Sequence, residues 1–175
     1  MNKITSELIK YRVTYLEMNN RPSFDWPKSL KHKLTILKAE NIPSWYFLFF
    51  YKQVGKKYYW TDWLNKTDKE LNDFVNDKNV IFYTLIKDGW PIGFFMLDYR
   101  VNKVCNLSFL GLVEEAIGLG LGEYLLKTAI LTAWDSNKIE TLTVNTCTLD
   151  HKRALNLYQK NGFNLVEIKD FEKYV

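Results

Sequence analysis

The sequence has few of the residues that distinguish secreted, fibrous or membrane proteins. Its 175 residues include 8 glycines, 4 prolines and 2 cysteines, too little glycine and proline for a collagen-like or low-complexity chain. Cys105 and Cys147 form neither a CxxC pair nor a disulfide framework, so we expect a reducing compartment. The most apolar run, Ile42 to Tyr51, is half of the roughly 20 residues that span a bilayer. The N-terminal MNKITSELIK lacks the apolar segment of a signal peptide. These absences predict a cytoplasmic protein without a membrane segment.

A strong excess of one charge is also missing. The chain has 24 Lys and Arg against 20 Asp and Glu, a formal net charge of +4. The basic stretch of Lys28, Lys31, Lys33 and Lys38 can contact phosphates. However, the chain has four arginines, and arginine makes most specific contacts to bases. We therefore expect the basic stretch to be solvated surface, and we expect no nucleic-acid partner. A nucleic-acid-associated protein is the last of the three interpretations that the sequence leaves open. Two isolated histidines, with no HExxH motif or cysteine cluster, predict no metal site.

The residues that are present are typical of one globular domain over residues 1–175. Hydrophobic residues make up 47%, charged residues 25% and aromatic residues 16%, which is enough to fill a large core. Apolar periodicity and turn residues predict three strands, a loop and then helix, strand, helix, strand, behind a first strand and two helices. This order indicates a mixed α/β fold. Residues 19–42 have no clear pattern. The predicted elements are strands 4–18, 80–87, 92–101, 104–113, 140–146 and 163–168, a helix from Ser44 to Gly55, a helix from the capping box Thr67–Glu70, and helices 121–134 and 150–161.

A glycine-rich loop, residues 117–122, connects a predicted strand to a predicted helix. Glycines at alternate positions allow tight turns, so successive backbone N–H groups can point at one anion. The helix N-terminus adds partial positive charge, and together they predict a pyrophosphate site. The spacing fits neither a P-loop nor GxGxxG, because Glu123 stands where the third glycine belongs. Close packing of helix on sheet is the structural alternative.

Two motifs together resemble those of the GNAT superfamily of acyl-CoA-dependent N-acyltransferases. The loop at 117–122 resembles its pyrophosphate motif, Gln/Arg-x-x-Gly-x-Gly/Ala. Ala154-x-x-x-Tyr158-x-x-x-Gly162-Phe163 resembles its C-terminal motif. The resemblance covers about residues 80–168 and is poor before them. It implies a GNAT fold, a mixed, mostly antiparallel sheet with helices on both sides, with an acceptor-side section at 1–79 and a CoA-binding core at 80–168.

The resemblance also implies an activity and roles for particular residues. The expected reaction transfers an acetyl group from acetyl-CoA to a primary amine of a small molecule or peptide, by direct attack in a ternary complex. Tyr158 would protonate the departing thiolate, although a core aromatic is the alternative. Leu112 and Val113 would pair with the pantetheine arm. Apolar residues stand where the family usually has Gln or Arg, so we expect weaker CoA binding. The expected pyrophosphate contacts are Ile117, Gly118, Leu119, Gly120, Leu121 and Gly122.

No general base is evident from the sequence. Glu115 and its neighbour Glu114 follow a strand end, and His151 lies between a strand and a helix; each is a candidate base, and loss of the amine proton to water is the alternative. A nucleophilic Cys147 is less consistent with the sequence than a small buried thiol.

Trp60 and Trp63 lie in a polar stretch, where we expect them to bind the amine by stacking or cation–π contact unless they belong to the core. A homodimer is possible, but no interface is evident. The rival to an enzyme is a CoA-binding or interaction module of the same fold without turnover.

Overall fold

A computed structural model describes residues 7–28, 32–136 and 138–174. Positions 4–6 of the predicted first strand, and Lys31 of the basic stretch, lie outside these residues. The strands are β1 (Leu8–Met18), β2 (Leu34–Ala39), β3 (Val80–Lys87), β4 (Trp90–Asp98), β5 (Val104–Leu112), β6 (Thr141–Cys147) and β7 (Asn164–Tyr174). The helices are α1 (Ser44–Gly55), α2 (Asp68–Val75), α3 (Leu121–Ser136) and α4 (Ala154–Lys160).

All seven strands form one sheet, in the order β2-β3-β4-β5-β6-β1-β7. Every neighbouring pair is antiparallel except β5 and β6, which are parallel. The helix α3 makes the crossover between these two strands, as a parallel connection requires.

Helices cover both faces of the sheet. Neighbouring residues of a strand point to opposite faces, and Phe94 lies 5.1 Å from Phe50 of α1, between ring centroids. Phe95 instead stacks on Tyr83 at 4.7 Å, and the Tyr83 side chain hydrogen-bonds Ser136 at the end of α3. The mixed, mostly antiparallel sheet with helices on both sides is therefore confirmed.

Local sequence signals account for several helix ends. The Thr67 side chain accepts from the backbone N–H of Glu70, and the Glu70 carboxylate accepts from that of Thr67, which completes the predicted capping box. Gly162 follows the C-cap of α4 with φ 101°, a conformation that favours glycine. The structure adds β2, in a segment without a predicted element, and extends the last strand from residue 168 to Tyr174.

The middle of the sheet opens where β5 and β6 separate. Their pairing ends with Asn106 opposite Thr143, although both strands continue. Asn106 Nδ2 donates to Thr143 Oγ1 at 2.9 Å, and Ser108 Oγ donates to Asn106 Oδ1 at 2.8 Å. Between β4 and β5 the register shifts at Ser108, which makes a bulge. The polar network and the bulge thus stand where the two strands part.

Candidate functional site

A cleft of about 940 Å³ occupies the gap between the diverging strands. Five parts of the chain line it: β1, the connection from α1 to α2, the end of β5 with the following loop, the segment from β6 into α4, and the end of β7. The predicted site residues in its wall are Trp60, Trp63, Leu112, Ile117, Gly118, Gly120, Leu121, Gly122, His151 and Tyr158.

The glycine-rich loop presents free backbone donors to this cleft. Gly118 has φ 89° and Gly120 has φ 76°, and a Cβ on either would meet no atom within 4 Å. Among the described residues, nothing accepts a hydrogen bond from the N–H groups of Gly118, Leu119 or Gly120. The helix α3 begins immediately afterwards, and its first-turn N–H groups also lack helical partners. Unpaired donors just before a helix N-terminus, on a loop with room around two of its glycines, fit the pyrophosphate of a CoA molecule.

Cations reach the cleft from a different segment than the loop. Lys152 and Arg153 precede α4 and line the cleft, and neither forms an ion pair with a residue of the described part of the chain. Because Gly122 lies against Leu157 of α4, with 3.8 Å between a Cβ built on Gly122 and Leu157 Cδ2, the start of α3 and α4 are neighbours. These two cations can supply the positive charge that Ile117 and Leu119 do not. The run His151-Lys152-Arg153 was the sequence signal for this role.

Tyr158 points from α4 into the cleft. Tyr158 is 7% exposed and lines the cleft, and its ring centroid lies 5.8 Å from that of Phe163. Burial, and then the negative charge of Asp150, raise the pKa of Tyr158 above the usual 10.0. The phenol therefore keeps its proton at neutral pH, as a general acid must.

Three predicted site residues do not line the cleft. Val113 is buried and its N–H donates to the Ile92 carbonyl at 2.9 Å. Glu115 is exposed on a one-turn 3-10 helix, Glu114–Ala116, and Leu119 is 42% exposed. The other candidate acid in that turn, Glu114, forms an ion pair with Lys57. Neither glutamate lines the cleft, which favours loss of the amine proton to water over a glutamate base.

His151 lies in the wall, but its hydrogen bonding favours donation over base catalysis. Its Nδ1 accepts the backbone N–H of Arg153 at 3.2 Å. A neutral imidazole that accepts at Nδ1 carries its proton on Nε2, so Nε2 is a donor. The Tyr58 ring stands edge-on to the imidazole, 6.4 Å between centroids. This arrangement suits a hydrogen bond from His151 to a carbonyl or phosphate oxygen.

Trp60 and Trp63 combine a place in the cleft wall with core contacts. The Trp60 ring lies 5.5 Å from Tyr51 and 5.7 Å from Phe109. The Trp63 ring lies 4.2 Å from Phe74 of α2, and the backbone N–H of Trp63 donates to the Tyr51 hydroxyl at 3.3 Å. The two tryptophans therefore serve both as the wall of the cleft and as packing for the helices behind it.

Asp150 is a residue of the site that the sequence did not single out. Its Oδ2 accepts from Thr146 Oγ1 and from the Cys147 N–H, both at 2.9 Å, and its Oδ1 accepts from Trp60 Nε1 at 3.1 Å. The Asp150 carboxylate thus links the connection from α1 to α2, which contains Trp60, to the segment before α4. Burial, and then the Asp150 charge, raise the pKa of Cys147, which keeps that sulfur a thiol and disfavours a nucleophile.

Aromatic side chains from distant segments complete the other end of the cleft. Tyr11 and Tyr15 come from β1, Phe109 from β5 and Phe171 from β7. No single stretch of sequence contains them, and alternation within β1 was their only local signal.

In the parts of the chain that the structure describes, no group of three or more His, Cys, Asp or Glu could hold a metal ion. No helix in those parts is long and apolar enough to cross a membrane.

A family profile described as the acetyltransferase (GNAT) family matches residues 39–163. No curated protein matches the chain. Among solved structures, a GCN5-related N-acetyltransferase from Kribbella flavida is similar with TM-score 0.63 and 13% identity, over 92% of this chain and 56% of that one.

Two shorter proteins are similar over less of this chain. An aminoglycoside acetyltransferase from an uncultured soil metagenomic sample matches with TM-score 0.58 and 14% identity, over 73% of this chain and 86% of that one. An IAA acetyltransferase from Bacillus cereus matches with TM-score 0.55 and 20% identity, over 77% of this chain and 79% of that one. At these identities the likeness concerns the fold. The chain spans 53–68% of longer bacterial structures that it matches.

Proposed function

This chain belongs to the GNAT acetyltransferase family, and from that premise we propose that it transfers an acetyl group from acetyl-CoA to a primary amine by direct attack in a ternary complex. We further propose that residues 1–175 act as one domain, in a reducing compartment such as the cytoplasm, consistent with the free Cys105 and Cys147.

The observation that carries the proposal is the meeting of two separate motifs in one cleft. The loop with unpaired N–H groups contributes Gly118 and Gly120 to the same cavity that the protonated phenol of Tyr158 lines. An anion cradle alone would fit many phosphate ligands. An acid buried beside it, in the gap between two strands, fits a thioester whose leaving group needs a proton.

In this proposal, each residue around the glycine-rich loop has a definite role in binding acetyl-CoA. The loop from Ile117 to Gly122 would hold the pyrophosphate through backbone N–H groups, with Lys152 and Arg153 adding charge. Leu112 lines the cleft at the end of β5, where unpaired strand edge can bond the pantetheine arm. The Nε2–H of His151 would donate to the same arm.

The chemical step needs one proton donor and one neutral amine. Acetyl-CoA supplies the acetyl group as a thioester. The amine nitrogen bonds to the acetyl carbon, the carbon–sulfur bond breaks, and the Tyr158 hydroxyl gives its proton to the sulfur. The nitrogen releases its extra proton to water, since neither Glu115 nor Nε2 of His151 is placed to accept it. Tyr158 recovers its proton from solvent.

Tyr158→Phe tests the proposal, because it removes the acid and keeps the ring. We expect kcat to fall about 100-fold or more, with the acetyl-CoA-induced shift in melting temperature retained. Tyr124→Phe on α3, which is half-buried and outside the cleft wall, is the matched control and should leave kcat unchanged.

The rival interpretation, a binding module without turnover, gives a different set of results. It predicts a saturable melting-temperature shift with acetyl-CoA and none with ATP, but no amine-dependent release of thiol from the unmodified protein. If acetyl-CoA gives no shift at millimolar concentration, the loop is not a CoA site and the proposed function is wrong.

A further inference from the structure

An exposed carboxylate, that of Asp62, lines the aromatic end of the cleft. Three acidic residues line the cleft: Asp62, Glu123 and Asp150. Glu123 pairs with two lysines, and Asp150 accepts three hydrogen bonds. The Asp62 carboxylate has neither an ion pair nor a hydrogen bond with a described residue, although it is close enough to the phenols to act on them. Burial, and then the Asp62 charge, raise the pKa of Tyr11.

A cation without a carboxylate partner among the described residues reaches the same place from β7. Lys173 of β7 is half-buried and lines the cleft. Its Nζ donates to the Tyr59 carbonyl and lies 5.5 Å from the centroid of the Tyr11 ring. An ammonium has three donors, so two remain for a ligand. Asp62 and Lys173 form no ion pair with each other, although both are neighbours of Tyr11.

A flat apolar surface lies beside these two charges. The rings of Tyr11 and Phe171 stack at 5.7 Å with an interplanar angle of 25°, and both line the cleft together with Trp60. Such rings favour a planar, apolar ligand. A ligand with several ammonium groups and many hydroxyls would find one free carboxylate and few polar partners here.

We propose, on the basis of the proposed function, that the acceptor is a zwitterionic aromatic amine of the α-amino acid class. Its ammonium pairs with Asp62, its carboxylate with Lys173, and its ring lies against Tyr11 and Phe171. The amine loses its proton to water before it attacks the acetyl carbon. Acetylation removes the positive charge, so the product loses its attraction to Asp62. The product therefore dissociates more readily than the substrate does.

Three probes separate the two charge contacts. L-Phenylalanine carries both charges, phenethylamine lacks the carboxylate, and 3-phenylpropionate lacks the ammonium. Binding of each is measured by tryptophan fluorescence or calorimetry with CoA present, so no turnover is needed. We expect phenylalanine to bind about tenfold more tightly than either of the others, the effect of one charge-assisted contact.

Two variants should each abolish one of these differences. Asp62→Asn should remove the advantage of phenylalanine over 3-phenylpropionate, and Lys173→Met its advantage over phenethylamine. Lys169→Met is the matched control on the same strand: Lys169 lies 5.5 Å from the Tyr15 ring but pairs with Glu167 and does not line the cleft. It should leave all three affinities unchanged.

The outcomes also separate this inference from the proposed function. Equal binding of phenylalanine and phenethylamine, or tighter binding of spermidine or kanamycin, would overturn the zwitterionic class while acetyl-CoA still raises the melting temperature. If acetyl-CoA does not raise the melting temperature of the unmodified protein, the proposed function is overturned instead. The affinities of the three probes would still show whether the aromatic end binds both the ammonium and the carboxylate.

Discussion

The two ends of the cleft are built in different ways. At the proposed cofactor end, the available contacts are backbone N–H groups of one loop and one helix start, with the phenol of Tyr158 in the same cleft. At the proposed acceptor end, the available contacts are side chains from β1, β7 and the connection between α1 and α2. The first depends on backbone conformation over a few consecutive residues. The second depends on the packing of segments up to 160 residues apart.

This difference separates what the family shares from what a single member binds. A backbone cradle tolerates changes of side chain, so Ile117 and Leu119 can replace polar residues without closing it. In our proposal, side chains such as Asp62 and Lys173 select the amine, and they can change without disturbing the loop. The distance between the ends also predicts that each can be impaired alone, which the following substitutions test.

Among these substitutions, Gly120→Ala should have the largest effect, and it alters the proposed cofactor end. At φ 76° an alanine costs about 1–2 kcal/mol, and the loop relieves that strain by turning its N–H groups away from one another. We expect the Kd for acetyl-CoA to rise about tenfold or more, with the affinity for the amine unchanged. Isothermal titration with each ligand measures both.

Gly89→Ala is the control for that substitution. Gly89 has φ 89° in the turn between β3 and β4, with equally open surroundings, so alanine there has a similar strain without a ligand nearby. If both variants bind acetyl-CoA equally well, the loop is not a backbone cradle and the contrast between the two ends fails.

A smaller effect, confined to the acceptor end, is expected from Gly55→Ala. In a helix, alanine is normally more stable than glycine, but a Cβ on Gly55 would lie 2.4 Å from Trp60 Cβ, so the tryptophan has to move. We expect a lower melting temperature and a KM for the amine raised about threefold to tenfold, with KM for acetyl-CoA unchanged.

The double variant Gly55→Ala/Trp60→Gly identifies the clash as the cause. It should melt no lower than Trp60→Gly alone, because glycine at position 60 removes Cβ and the ring atoms that would collide with the new methyl group. An equal rise of both KM values in Gly55→Ala would show that Trp60 supports the whole cleft, so that the ends are not independent.

Local signals were sufficient for much of the fold. The strand predicted at 80–87 has those bounds, and α3 begins at Leu121 as the glycine-rich loop indicates. By contrast, β2 was not predicted, because it pairs with β3 alone and has little apolar alternation. The last strand extends to Tyr174 because it pairs with β1 along its length. Its charged residues, without apolar alternation, gave no sign of a strand beyond residue 168.

The candidate site divides in the same way. The loop and Tyr158 could be found because their residues are adjacent or regularly spaced. Asp150 could not, since its role depends on Trp60 Nε1, which lies 3.1 Å away but 90 residues earlier. Glu115 was a reasonable candidate by its position after a strand, yet it is exposed on a single turn of 3-10 helix and does not line the cleft.

The smallest effect concerns the cap of α2, which supports the acceptor end through Phe74 and its contact with Trp63. Thr67→Ala removes the hydroxyl that caps the Glu70 N–H, and such losses cost about 1 kcal/mol. We expect urea denaturation at pH 7 to show that decrease, with the Kd for acetyl-CoA unchanged and the amine affinity slightly lower.

The same cap should make stability depend on acid pH. Hydrogen bonds from the Thr67 N–H, then from Lys66 and the Thr67 hydroxyl, lower the pKa of Glu70 from 4.5 to about 2. A lowered pKa means that the folded state binds the Glu70 proton less tightly than the unfolded chain, so this contribution is present above pH 4.5 and lost as pH falls towards 2. Glu70→Gln should flatten the fall in unfolding free energy between these pH values. An unaltered acid profile in Glu70→Gln would mean that the box does not stabilise α2, and that the acceptor end is held by packing of Trp63 on Phe74 alone.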